Sequence, residues 1–214
     1  MTLQEELQAM REKASSGDFF QIHETVIEDL RKTDKLANVP VIGSVAPPFN
    51  LPDEENHLVS STFLLKKGPL IISFFRGDWC AFCNLELRAL QRSLAEFQKF
   101  GASLVGISPQ AVSYSHMMAD RRNVQYQVLS DSGNKIADSY GLMFTMPNEL
   151  QNAYKAFGID IAQINNNPSS AEVPVPATFV VNTDGLISYR FVDADYTKRA
   201  EPSEIIANLM TISA

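Results

Sequence analysis

Cysteine, histidine and tryptophan are all scarce in this chain: the 214 residues include two cysteines, three histidines and one tryptophan. So few cysteines make a poor disulfide framework of the kind that holds small secreted domains together. Basic residues are also outnumbered, with 18 lysines and arginines against 25 aspartates and glutamates, which gives a net charge of −7. This balance provides no overall positive field, so we expect no nucleic-acid partner.

Long apolar runs are missing as well. No uninterrupted apolar stretch approaches the ~20 residues that cross a membrane, so we expect no membrane partner. The first seven residues, Met-Thr-Leu-Gln-Glu-Glu-Leu, are acidic and amphipathic, unlike a secretory signal or an arginine-rich transit peptide. We therefore expect a cytoplasmic protein. Its length fits one domain with embellishments.

The two cysteines, Cys80 and Cys83, stand three apart where an apolar run meets a helical pattern. Residues 70–75 are typical of a buried strand, residues 76–79 of a turn, and the residues from Cys80 onward of a helix. A helix N-terminus offers free backbone N–H groups and a partial positive charge, and both favour thiolate over thiol. Two thiols at this spacing can also close a disulfide across one turn.

The pattern divides the chain into an N-terminal helical extension, residues 1–38, and a domain, residues 39–214. The extension begins with a capping box of Thr2 and Glu5, and it could pack on the domain or on a second subunit, as in a homodimer. In the domain, strands and helices alternate and are followed by a hairpin and a closing helix, which predicts an α/β fold with a central mixed β-sheet flanked by helices. The predicted strands are 70–75, 103–107, 126–129, 178–181 and 186–192, and the predicted helices are 19–36, 80–100, 112–122, 136–140, 149–157 and 202–210.

Three interpretations compete for the cysteine pair. A structural zinc site needs four ligands and a catalytic one normally three, whereas His23, His57 and His116 are scattered in other contexts, so we expect no metal. Inert buried thiols are a second interpretation. Redox chemistry is the third and needs no cofactor. A thiolate attacks a substrate disulfide or the O–O bond of a hydroperoxide, and the other thiol resolves the product into a Cys80–Cys83 disulfide.

Four further residues are candidates for supporting this chemistry. Arg76 could stabilise a thiolate, or it could hold its charge in solvent. Trp79 could shield the sulfurs or fill the core, and Glu86, one helical turn beyond the second cysteine, could carry a proton or be an exposed helix charge. Pro176 could be an ordinary proline at the start of a strand, or a cis peptide bond before it could turn backbone toward the thiols. Residues 141–172 could cover the thiols as a lid or lie on the surface.

Several stretches of the domain resemble the alkyl hydroperoxide reductase / thiol-specific antioxidant branch of the peroxiredoxins, which has the thioredoxin fold. The central stretch, residues 73–87, contains both cysteines, and the others are residues 43–51, 129–131 and 176–185. The resemblance leaves residues 1–38 outside. It implies a thioredoxin-like fold, reduction of hydrogen peroxide or alkyl hydroperoxides through a dithiol–disulfide cycle, and a thioredoxin-type or small-thiol reductant.

The resemblance also assigns positions. In that family the peroxidatic cysteine follows the pattern Pro-x-x-x-Thr-x-x-Cys and is trailed by Glu, which aligns Cys83 with the peroxidatic cysteine and Glu86 with the glutamate. Arg76 stands in place of the proline and Cys80 in place of the threonine, and the arginine that usually polarises the peroxide, near Pro176, is missing. The departures resemble thioredoxin, whose Trp-Cys-x-x-Cys motif makes the first cysteine the nucleophile.

The two alignments disagree about the attacking sulfur. The position at the corner favours Cys80, as the more exposed residue and the one nearest the free N–H groups, and we expect it to act in disulfide exchange. For peroxide attack the choice between Cys80 and Cys83 stays open. The sequence therefore favours a thioredoxin-dependent, peroxiredoxin-like peroxidase. The alternatives are a thioredoxin-type protein-disulfide oxidoreductase without significant peroxidase activity, and a redox sensor or adaptor whose N-terminal helices bind a partner.

Overall fold

The computed structural model describes residues 1–15, 17–167 and 171–213. In this part of the chain no helix is both long and apolar enough to cross a membrane. The helices are α1 (Leu3–Ala14), α2 (Asp18–Arg31), α3 (Ser61–Leu65), α4 (Ala81–Lys99), α5 (Val112–Arg122), α6 (Lys135–Ser139), α7 (Asn148–Ala156), α8 (Ile161–Ile164) and α9 (Pro202–Ile212). The strands are β1 (Asn50–Pro52), β2 (Leu58–Ser60), β3 (Leu70–Phe74), β4 (Ser103–Ser108), β5 (Gln127–Ser130), β6 (Met143–Thr145), β7 (Glu172–Pro174), β8 (Ala177–Val181) and β9 (Ile187–Val192).

A five-stranded sheet forms the centre of the fold, in the order β5-β4-β3-β8-β9. Strand β3 pairs in parallel with β4 and antiparallel with β8, so the sheet is mixed, as predicted. Every residue of β3 and of β8 is buried. A nearly continuous apolar run is what a strand with both faces covered requires.

The two faces of the sheet carry separate cores. Successive residues of a strand point to opposite faces, so Ile71 lies in the core beneath α4 and α9, whereas Ile72 lies in the core of the opposite face. Helix α4 packs on the sheet through buried Leu87, Leu90 and Phe97, the stripe that the helical spacing predicts. Both faces of β3 are therefore covered, and the strand leads into the turn that precedes the cysteine pair.

The N-terminal extension packs on its own domain. Leu3 and Leu7 of α1 lie against Leu85 and Ala89 of α4, and α2 shares a core with α7. Helix α2 is shorter than the predicted 19–36 because it ends at Arg31, where a turn begins. The division at residue 38 stays a prediction.

Two small antiparallel ribbons, β1–β2 and β6–β7, were not predicted. Each of their strands has three residues, which is too short for an alternating pattern to be recognised. The predicted hairpin is confirmed as β8–β9. In its turn the backbone N–H of Leu186 donates to Asp184 Oδ1 at 2.9 Å, and Gly185 has a φ of +84° that favours glycine.

Candidate active site

The corner between β3 and α4 holds the cysteine pair. Gly77 has a φ of +146°, and a Cβ at this position would lie 2.5 Å from Trp79 Nε1, so the turn requires glycine. The backbone N–H of Asp78 donates to Gln110 Oε1 at 2.6 Å, which fixes the turn to the segment after β4. Cys80 is the N-cap of α4, as the strand–turn–helix pattern predicts.

The two sulfurs lie within reach of each other. Both thiols are free, and Cys83 Sγ donates a hydrogen bond to Cys80 Sγ at 2.7 Å. The backbone N–H of Cys83 also donates to Cys80 Sγ, at 3.4 Å. Cys80 is the more exposed of the two, as expected, but both are buried: its relative exposure is 2% and that of Cys83 is 0%. The local motif could not show this burial because α2 and α7 cover the corner from elsewhere in the chain.

Arg76 points into the protein rather than into solvent. Its Nη2 donates to Cys80 Sγ at 3.2 Å, and the residue is only 1% exposed. The guanidinium lies 5.2 Å from the ring centre of Trp79 and 4.2 Å from that of Tyr196. Its Nε and Nη1 have no hydrogen-bond partner among the described residues. The arginine thus has two buried donor nitrogens left without a partner while a third contacts the Cys80 sulfur.

The environment separates the two thiols electrostatically. Burial alone would raise the pKa of Cys80, but the Cys83 S–H donor and the charges of Arg76 and Arg199 hold that pKa well below its usual value. Burial, the hydrogen bond to Cys80 and the nearby negative charge raise the pKa of Cys83 well above its usual value. Cys80 is therefore the thiolate and Cys83 the thiol.

A second buried arginine, Arg199, contacts the Cys83 sulfur. Arg199 Nη2 lies 3.3 Å from Cys83 Sγ, and Arg199 Nε pairs with Glu86 Oε2 at 2.5 Å. Glu86 also accepts hydrogen bonds from Thr178 at 3.2 Å and Ser73 at 3.4 Å. Glu86 is 1% exposed, so it is not an exposed helix charge.

Sequence analysis missed Arg199, because no motif surrounds it and its contact with the site arises only when the segment after β9 folds back. The missing arginine near Pro176 was the only hint that another arginine was needed.

We expect Glu86 to make stability depend on pH. Burial raises its pKa from 4.5 to about 7 against the opposing charge of Arg199. Because the unfolded chain releases this proton first, the contribution to the free energy of unfolding falls as the pH rises from 4.5 to about 7. The loss amounts to about 3 kcal/mol. The lowered pKa of His23 acts in the opposite direction over part of this range in both proteins, so the informative quantity is the difference between wild type and Glu86→Gln. In urea unfolding of the reduced proteins, the stability of the wild type relative to Glu86→Gln should fall by this amount between pH 4.5 and pH 8, and equal pH dependence in both proteins would contradict it.

A cavity of about 330 Å³ opens above Cys80. Its walls come from the corner itself, from α2 of the N-terminal extension and from the region of α7. Part of the 141–172 segment lines this cavity together with Cys80, which favours the lid over the surface position, the two alternatives that the sequence left open. The lining is mainly apolar and aromatic: Phe19, His23, Arg76, Trp79, Cys80, Ala81, Phe82, Tyr154, Phe157 and Ile159.

His23 brings the N-terminal extension into the site. Its Nδ1 lies 2.6 Å from Tyr196 Oη, and its Nε2 lies 3.2 Å from Tyr154 Oη. Burial, together with the charge of Arg76, lowers the pKa of His23 to about 3, so the ring is neutral. Sequence analysis treated His23 as unconnected to the cysteines and did not single out either tyrosine, because these three residues come from three distant segments.

The remaining two predicted residues have different positions. Trp79 lines the cavity and packs edge-on against Tyr154, with ring centres 4.8 Å apart, so it both shields the sulfur and fills space. Pro176 is buried just before β8, outside the cavity lining, and the peptide bond before it is trans. The cis arrangement is therefore wrong, and Pro176 is an ordinary proline at the start of a strand.

Comparison with known proteins relates this site to one family. The sequence profile of the AhpC/TSA family matches residues 42–190. A chloroplastic peroxiredoxin Q from Sedum lineare is 34% identical over 113 residues, which are 53% of this chain and 60% of that protein. A putative peroxiredoxin bcp from Coxiella burnetii is 26% identical over 147 residues, which are 69% of this chain and 85% of that protein. The chain thus spans less than two thirds of the length of the plant relative.

Solved structures agree with the fold. A crystal structure of peroxidoxin BcpB from Mycobacterium tuberculosis superposes with a TM-score of 0.62 and 22% sequence identity. The match covers 80% of this chain and 97% of that one. At this identity the likeness concerns the arrangement of helices and strands alone.

Proposed function

This chain belongs to the AhpC/TSA family and has its thioredoxin-like fold, and we propose that it is a thiol-dependent peroxidase in which Cys80 attacks the peroxide. One observation carries the proposal. The Cys80 residue lines a small cavity, and its sulfur lies 3.2 Å from Arg76 Nη2. Arg76 lines the same cavity and has two further donor nitrogens, Nε and Nη1, without a partner among the described residues. A thiolate and fixed hydrogen-bond donors together are what attack on an O–O bond requires.

The reaction proceeds in three steps. The Cys80 thiolate attacks the terminal oxygen of a hydroperoxide, forming a sulfenic acid and releasing an alcohol or, from hydrogen peroxide, water. The Cys83 thiol, 2.7 Å from Cys80 Sγ in the reduced protein, then displaces the hydroxyl as water and closes a Cys80–Cys83 disulfide. An external dithiol, or two equivalents of a small thiol, reopens the disulfide by exchange.

The geometry favours Cys80 over Cys83 for the first step, although the family motif aligns Cys83 with the peroxidatic cysteine. Cys80 lines the cavity and has a lowered pKa, whereas Cys83 is fully buried and has a raised pKa. Cys83 keeps a proton and therefore suits the resolving role, in which it attacks only after Cys80 has been oxidised.

Protein-disulfide reduction is less well supported. A polypeptide disulfide has to reach the attacking sulfur, and Cys80 is only 2% exposed beneath α2 and α7. A hydroperoxide or a small thiol fits a cavity of about 330 Å³. We propose a low-molecular-weight thiol as the reductant, because the same burial limits the access of a thioredoxin-type protein to the two sulfurs. Reduction by a thioredoxin-type protein stays the predicted alternative. The cytoplasmic location and the homodimer stay predictions.

Peroxide consumption tests the proposal. Purified protein with dithiothreitol should consume hydrogen peroxide or tert-butyl hydroperoxide in repeated turnovers, and it should reduce insulin disulfides much more slowly. A parallel titration of the two thiols shows that the sample is reduced. If the reduced protein consumes neither peroxide, or if insulin reduction is the faster reaction, the peroxidase assignment is wrong.

A further inference from the structure

A chain of three polar side chains leads into the cavity above Cys80, and the reaction as proposed leaves it without a role. Tyr196 Oη, His23 and Tyr154 Oη are joined by contacts of 2.6 Å and 3.2 Å at the two ring nitrogens. Tyr154 and His23 line the cavity together with Cys80. Tyr154 lies within residues 42–190, which match the family, whereas His23 and Tyr196 lie outside them. Two of the three side chains therefore come from segments that the family match does not include.

The chemistry of the neighbours sets the direction of these hydrogen bonds. A neutral imidazole has one donor and one acceptor nitrogen, so one tyrosine donates to His23 and the other accepts from it. The Arg76 guanidinium lies 4.2 Å from the ring centre of Tyr196 and carries donors only. A positive charge this close to the phenol favours an arrangement in which Tyr196 gives its proton to a hydrogen bond rather than receiving one, so Tyr196 is the donor to His23.

The distances agree with this direction. A separation of 2.6 Å at Nδ1 suits an O–H donor, and 3.2 Å at Nε2 suits an N–H donor. Tyr196 therefore donates to Nδ1, and the Nε2–H group donates to Tyr154 Oη. Among the described residues the Tyr154 oxygen has no other hydrogen bond, so its own proton is free to be donated into the cavity.

We propose, on the basis of the proposed peroxidase function, that Tyr154 protonates the oxygen that leaves when Cys80 attacks a hydroperoxide, and that His23 and Tyr196 replace this proton. The S–O bond forms and the O–O bond breaks, and the leaving alkoxide takes the Tyr154 proton to become an alcohol. The Nε2 proton of His23 passes to Tyr154, and the Tyr196 proton passes to Nδ1.

The charge remains balanced throughout this transfer. One negative charge leaves the Cys80 sulfur and one appears on the Tyr196 oxygen, so Arg76 exchanges one anionic neighbour for another. When a dithiol reduces the Cys80–Cys83 disulfide, Cys80 returns as a thiolate. One proton of the reductant restores the Cys83 thiol and the other restores Tyr196, which completes the cycle.

The leaving group provides a sharp test. An alkoxide leaves poorly without a proton, and a positioned acid accelerates such a step by roughly 10²–10⁴-fold. A carboxylate, released from a peroxy acid, leaves without one. Tyr154→Phe should therefore lower the single-turnover rate constant with tert-butyl hydroperoxide by about 100-fold and leave that with peroxyacetic acid nearly unchanged. The unchanged rate constant with peroxyacetic acid shows that the site of the same variant is folded.

Two further variants complete the experiment. Tyr196→Phe removes the proton at the far end of the chain and should give the same selective loss to a smaller extent, which provides the measurement if Tyr154→Phe does not fold. Tyr189→Phe is the matched control. The Tyr189 hydroxyl donates to Glu204 at 2.7 Å and Tyr189 does not line the cavity, so this variant should match the wild type with both substrates.

Equal losses with both substrates, or no loss with either, in the Tyr154 and Tyr196 variants would overturn the proton chain. Failure of the wild type with both substrates would instead reject the proposed function.

Discussion

Replacing Cys80 by serine is expected to abolish peroxide reduction, with a fall in the rate constant of about 10³-fold or more. A serine hydroxyl at this position stays protonated at neutral pH, so the group that attacks the O–O bond is lost. The fold should be retained, because serine is close to cysteine in size and can still accept the hydrogen bond from Arg76 Nη2. Stopped-flow measurement of peroxide loss checks the result.

Cys83→Ser is the matched control for this variant. It should keep the first step but lose turnover, because a hydroxyl can donate to Cys80 Sγ as the Cys83 thiol does but cannot form a disulfide. Intact-mass measurement after one equivalent of peroxide should find a single added oxygen, and peptide mapping should place it on Cys80. Oxidation trapped on Cys83 in the Cys80→Ser protein, at the rate of the wild type, would show that the family alignment names the attacking sulfur correctly.

Arg76→Met is expected to give the second largest effect, through ionisation of Cys80. Two unit charges 3.2 Å apart, as Arg76 Nη2 and Cys80 Sγ are, attract by about 5 kcal/mol at an effective dielectric constant of about 20. Without the cation, burial should bring the pKa of Cys80 to its usual range or above. A thiol with a pKa of about 9 is about 1% ionised at pH 7, so the rate should fall about 100-fold.

Thiolate absorbance at 240 nm as a function of pH measures this shift directly. The loss of activity in Arg76→Met should be largely recovered at high pH, where Cys80 ionises without help, which a misfolded site would not show. Arg76→Lys keeps the charge but loses the planar fork, so its pKa should lie between those of the wild type and Arg76→Met. Full ionisation of Cys80 at pH 7 in Arg76→Met would contradict the role given to the arginine.

Each of the two sulfurs is contacted by a different arginine. Arg76 contacts the Cys80 sulfur from the turn itself, and Arg199 contacts the Cys83 sulfur from the segment after β9 while pairing with Glu86. The arginine that the family motif places near Pro176 is absent from that position, and the arginine beside the Cys83 sulfur comes from another part of the chain. This arrangement separates a thiolate from a thiol only 2.7 Å apart.

Much of the architecture follows from local sequence. The apolar run of β3, the helical stripe of α4 and the Asp-Gly turn of the β8–β9 hairpin each lie within a few neighbouring residues. Such patterns depend on the period of the element and not on the rest of the chain. The corner with Cys80 at the N-cap and Cys83 in the first turn was predicted for the same reason.

The sequence by itself thus determined the mixed α/β fold, the strand–turn–helix corner and the pairing of the two thiols. Only the tertiary structure decided that Cys80 carries the negative charge, that both sulfurs are covered, and that Arg199 and the Tyr196–His23–Tyr154 chain complete the site. The physical reason is that burial and charge at a sulfur depend on which distant segments pack over it. Helical spacing predicts that α2 and α7 have apolar faces, but it does not specify the surface on which those faces are buried.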